Sequence, residues 1–155
     1  MKTGKKSILI TILPILSMCV AMLPGFMNKN SILGIAKIAI LTMVLTAISA
    51  FYILANESTI LSKRLSRTII TVGYLSAICL LLFVPKPYML SFWMIGGLLI
   101  AMLVDNKLGI LVHFNLMVIM AISFSLELER VIQIMVIGAM MCLLSGALRV
   151  KETAV

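Results

Sequence analysis

The sequence predicts an all-α integral membrane protein, a bundle of six transmembrane helices, and three observations carry that expectation. First, 63% of the 155 residues are apolar, and the mean hydropathy of +1.22 exceeds what a soluble fold of this size can bury. Second, apolar runs recur six times, over 7–26, 32–54, 68–84, 88–104, 108–124 and 131–148, each near the length a helix needs to cross a hydrocarbon core of about 30 Å. Third, none of them alternates with period two. Their backbones must therefore satisfy hydrogen bonds within helices and not around a barrel. No linker, internal repeat or low-complexity tract divides the runs, so residues 1–155 read as a single membrane domain.

The first run follows Lys2, Lys5 and Lys6, the charged start of a signal peptide. It is too long for a cleavable apolar region of about 7–15 residues and shows no Ala-x-Ala site, which makes it a retained span. Pro14 lies inside it, and spans tolerate proline. The second run carries Lys37 about a turn from its outer end, where the ammonium can extend to the headgroups. Thr42, Thr46 and Ser49 share one face of that helix, a pattern suited to interhelical hydrogen bonds. Residues 56–67 form a basic interfacial loop with Lys63, Arg64 and Arg67. The third run places Gly73 and Ala77 one turn apart and stops at Pro85 and Pro87.

The fourth and fifth runs are joined only by Asp105, Asn106 and Lys107. Three polar residues cannot cross a bilayer, so the two runs form a helical hairpin. It holds the only Asp, His and Trp of the chain. Gly96, Gly97 and Ala101 allow close helix approach. His113 stands below the interface, and Asn115 is about 200° away around the helix, so the two do not line one face. Lys37, Asp105, His113 and Asn115 are the candidate polar membrane positions. On the sixth run Gly138, Cys142 and Gly146 repeat every four residues and form a candidate helix-packing stripe.

Orientation follows from the basic residues, which cytoplasmic loops carry in excess. With both termini cytoplasmic, nine Lys and Arg residues fall inside and only Lys29, Lys86 and Arg130 outside, with Lys37 near that surface. The net charge of +8 is thus an orientation signal. It lacks the focused patch and interleaved aromatics of nucleic-acid binding. Multi-pass insertion in a bacterial inner (cytoplasmic) membrane is the expected location.

Chemistry is thin. A single His and a single Asp cannot build a catalytic metal cluster, and no Walker loop, dinucleotide fingerprint or nucleophile elbow occurs. Cys19, Cys79 and Cys142 lie within apolar runs with no paired ligand motif. The methionines, Met117 and Met120 included, are spread through the spans as apolar filler. No enzyme activity, cofactor or metal is expected.

From about Ala50 to Leu148 the order "AFYILANE", "SKRLSR", "VPKPYML", "GGLLIAMLVDNKLGILV" resembles the membrane region of the seven-transmembrane HD-domain hydrolases, bacterial proteins related to cyclic di-AMP phosphodiesterases. The family has an extracellular domain after its first helix, where this chain has a short loop near Asn28. It also ends in a metal-binding HD domain, which residues 1–155 do not contain, so no catalytic residue is expected to carry over. The resemblance implies a membrane sensor or anchor module, stand-alone or truncated. A small transporter or substrate-binding subunit, with Lys37, His113 and Asn115 lining a cavity, is a second reading, and a cell-shape or division scaffold a third. The expected partners are the lipid bilayer and a membrane or cytoplasmic protein or a second copy of the chain.

Overall fold

The computed structural model describes residues 4–27, 31–56, 60, 64–83 and 91–152. The expected proline stop at Pro85 and Pro87, the start of the fourth run at Tyr88, and Lys29 and Lys86 lie outside them. The described residues form an all-α bundle of six helices. These are α1 (Gly4–Met27), α2 (Ile32–Ala55), α3 (Arg64–Phe83), α4 (Met94–Leu103), α5 (Asn106–Phe124) and α6 (Leu128–Glu152). A short 3-10 turn, Ser91–Trp93, leads into α4.

Helix ends follow local chemistry. Ser31 has an extended backbone and its hydroxyl accepts from the Gly34 N–H at 3.2 Å, which starts α2 by satisfying a donor the first turn leaves open. Asn56 closes α2, its side chain donating to the Tyr52 carbonyl at 3.0 Å. Only Val104 and Asp105 separate α4 from α5, and both N–H groups fold back onto the Ile100 carbonyl at 3.0 Å. Asp105 then caps α5, accepting from the Leu108 N–H at 2.7 Å. At the far end of α5, Ser125 turns left-handed with φ 48°, the conformation in which a helix commonly stops.

Helix ends differ from the apolar runs in several places: α1 begins at Gly4 and α6 runs from Leu128 to Glu152, so Lys5, Lys6, Glu129, Arg130, Arg149 and Lys151 are helical. α3 begins at Arg64, so Arg64 and Arg67 belong to its first turn and not to a loop, because a helix continues into polar residues where they reach the interface. Within the described residues α4 and its 3-10 turn span about 21 Å at the usual rises. Four helices are long and apolar enough to cross a membrane: α2, α3 over Leu65–Phe83, α5, and α6 over Leu128–Ser145.

α1 packs on α2 and α3, α3 on α4, α4 on α5 and α5 on α6, and the packing centres on α5, which touches α2, α3, α4 and α6. Small residues set the spacing. A Cβ on Gly96 would strike the Gly73 carbonyl and lie 2.6 Å from the Ala77 Cβ, so α4 and α3 meet backbone to backbone. A Cβ on Gly109 would lie 2.6 Å from the Ala101 Cα, and α4 meets α5 as closely. Ile53, Ile70, Tyr74, Ile78, Leu81, Trp93, Ile100, Leu108, Leu116 and Ile119 fill the interior. Outward faces are apolar too: Phe51, Leu65, Val72, Phe92, Ile122 and Leu144 are all exposed, the arrangement a hydrocarbon solvent permits and water does not.

Candidate functional site

The side chains able to do chemistry converge on α5, on two sides of it. The angle between His113 and Asn115 separates them as the periodicity requires. Because α5 is enclosed by four helices, both are nonetheless buried.

On the α2 side, the Asn115 Nδ2 donates to the Leu45 carbonyl and to the Ser49 Oγ, each at 2.7 Å. One turn away Thr46 Oγ1 lies 2.9 Å from Ser17 Oγ of α1 and 2.9 Å from the Tyr74 hydroxyl of α3. The Asn115 amide stands beside that same Tyr74 hydroxyl. Thr46 and Ser49 thus join α2 to α1, α3 and α5, whereas the Thr42 hydroxyl donates to the Ile38 carbonyl of its own helix at 2.7 Å. Ser17 and Thr46 also reach their own helix carbonyls, Pro14 at 2.9 Å and Thr42 at 2.6 Å. The hydroxyls of Ser17, Thr46 and Tyr74 have one proton each. The two carbonyls and the two hydroxyl pairs offer one more position than those protons fill, so one of these four contacts carries no proton in any arrangement. Neutral hydroxyls and an amide supply no general base. What they supply is interhelical cohesion in a medium without competing water.

On the opposite side, the His113 ring stacks on Trp93 with centroids 5.4 Å apart and planes 11° from parallel. Gly138 of α6 lies against the ring: a Cβ there would fall onto Nε2 and Cε1. The Ile134 backbone approaches the imidazole, but Nε2 has no partner within hydrogen-bonding geometry. His113 therefore acts as a flat wedge between α4 and α6.

The remaining candidates lie apart. Asp105 sits at the α4–α5 turn, where the Tyr52 hydroxyl donates to Oδ1 at 3.2 Å. Lys37 is exposed on α2 and makes no ion pair among the described residues. Cys142 is buried below Gly138, and the Ser145 hydroxyl donates to its carbonyl at 2.7 Å. Gly146 continues α6, but its surroundings are outside the described residues. Among the described residues the three thiols are free, and no three His, Cys, Asp or Glu side chains converge as a metal site.

Two of the cavities that open on the surface are lined by described residues. One of about 290 Å³ lies between α1 and α2, lined by Pro14, Ile15, Met43, Ala47, Ala50, Phe51 and Leu54. The other, about 220 Å³, lies at the α5–α6 turn against Ser125, Glu127 and Arg130. Neither is lined by Lys37, His113 or Asn115. Sequence reasoning missed Tyr74 and Tyr52, each one hydroxyl among several on its helix, and it missed Trp93 as the partner of His113. The chain matches no protein-family model, no curated protein and no solved structure.

Proposed function

We propose that this chain is a non-catalytic membrane module, a sensor or anchor unit resembling the membrane region of HD-domain signalling hydrolases, seated in a bacterial cytoplasmic membrane with both termini inside. The observation that carries the reading is the use to which polar side chains are put. Ser17, Thr46, Ser49, Tyr74 and Asn115 bond helix to helix, which is what a rigid module needs and a solute path does not. A transporter would bring Lys37, His113 and Asn115 to one cavity, whereas Lys37 faces outward and the other two lie on opposite sides of α5.

The orientation has support of its own. The Tyr52 to Asp105 bond joins the end of α2 to the start of α5. Antiparallel connection then brings Lys5, Lys6, Arg64, Arg67, Lys107, Arg149 and Lys151 to that same end, in keeping with a cytoplasmic face.

The test is reconstitution of the purified chain in sealed vesicles, with a soluble reporter fused after Val155. The reporter should remain with the vesicles through a carbonate wash, added cyclic dinucleotides should stay intact, and no proton or cation flux should appear. Metal-dependent turnover lost on His113→Ala, or flux lost on the same substitution, would contradict the proposal.

A further inference from the structure

We propose that a second copy of this chain docks against the outward stripe of α6, with the two Gln133 amides meeting across the interface. Gln133 is the only glutamine in the sequence. It is exposed on α6 and has no hydrogen-bond partner among the described residues. It stands five residues past Leu128, about 7.5 Å along the helix and one turn deeper than Glu129.

Below it on the same face are Ile137, Met140 and Leu144, exposed by 53%, 56% and 63%. The steps from Gln133 are four, three and four residues, the spacing of the seam in a left-handed helix pair. The other face of α6 is closed by Gly138, Cys142 and Ser145. Over its spanning window α6 is 17% buried, against 33% to 50% for α2, α3 and α5.

Exposed Ile and Met need no partner in lipid. An amide does, because hydrocarbon offers it neither donor nor acceptor, and the Gln133 side chain is shorter than the lysine stem that reaches the headgroups from the same depth at Lys37. A primary amide carries both, so two identical amides satisfy each other across a two-fold axis, the self-complementary contact of a symmetric dimer. Copies of one chain insert with one orientation, which places residue 133 of one α6 opposite residue 133 of the next. The single polar position then fixes the register of an otherwise apolar seam.

This inference rests on the membrane reading of α6. The test uses the full chain, labelled at its N-terminus with donor or acceptor dye and reconstituted in phosphatidylcholine vesicles, with energy transfer followed against protein-to-lipid ratio. Transfer should saturate as a dimer does, and Gln133→Leu should move the midpoint to about 3- to 20-fold higher protein density, the range expected for one interhelical hydrogen bond. Gln133→Asn, which keeps the amide, should retain most of the association. Circular dichroism should show Gln133→Leu folded like wild type. Wild-type transfer no greater than random collision, or a folded Gln133→Leu that associates as tightly as wild type, would overturn the dimer alone. Release of the chain by carbonate would overturn it together with the membrane reading.

Discussion

The imidazole of His113 fills the space that a side chain at position 138 would need, and Gly138 is therefore the point through which α6 seats on α5. The contact is a backbone against a ring whose other face is held by Trp93.

Gly138→Ala should destabilise the bundle by about 1 to 3 kcal/mol, the usual penalty for overpacking, and Gly138→Leu by more. Adding His113→Ala to Gly138→Ala should recover part of the loss, because the two sites share one space. Denaturant unfolding in detergent, followed by circular dichroism, measures both. Met135→Leu conserves volume on the same helix and should change little.

The pair Gly73 and Gly96 should respond unequally to the same change. Gly96→Ala drives a methyl onto the Gly73 carbonyl and to 2.6 Å from the Ala77 Cβ, so α3 and α4 must separate. Gly73→Ala meets the Gly96 carbonyl at 3.6 Å and the Ile100 Cγ1 at 3.7 Å, ordinary contacts. Its gain in helix propensity, up to about 1 kcal/mol, should leave stability unchanged or raised. Thermal midpoints of the two variants should fall on opposite sides of, or one well below, the wild-type value.

Asn115→Leu removes two bonds to α2 and should cost about 0.6 to 2 kcal/mol. Ser49→Ala alone should cost less, and the double variant should be less destabilised than the sum, which a double-mutant cycle reads directly.

Asp105→Ala takes away the cap of α5, for a loss of about 0.5 to 2 kcal/mol. Tyr52→Phe loses only the 3.2 Å bond and should cost about 0.5 to 1.5 kcal/mol. Unfolding midpoints of the two variants give the comparison, and equal losses would mean that Asp105 acts through Tyr52 and not as a cap.

How much of this was legible in the sequence depends on the range of the signal. The helices follow from run length and hydropathy, and the bonded face of Thr42, Thr46 and Ser49 follows from the 3.6-residue period, because both are local. The separation of His113 from Asn115 was local as well. Their common burial was not, since it depends on α5 being surrounded by α2, α3, α4 and α6, a matter of tertiary packing. Spacing picked out Gly138 and Cys142 as a smooth stripe but could not say what lies against them. That the answer is an imidazole stacked on Trp93 twenty positions earlier has no counterpart in periodicity.

The membrane topology tests the account most directly. Reporters placed after Val155, within the Asp105 turn and beside Lys86 should give a cytoplasmic signal at the first two positions and an external one at the third. The Tyr52 to Asp105 bond ties the turn to the basic end of the bundle, so the first two must agree. A C-terminus and an Asp105 turn on opposite sides would contradict the six-crossing arrangement, and both on the external side would contradict the cytoplasmic orientation.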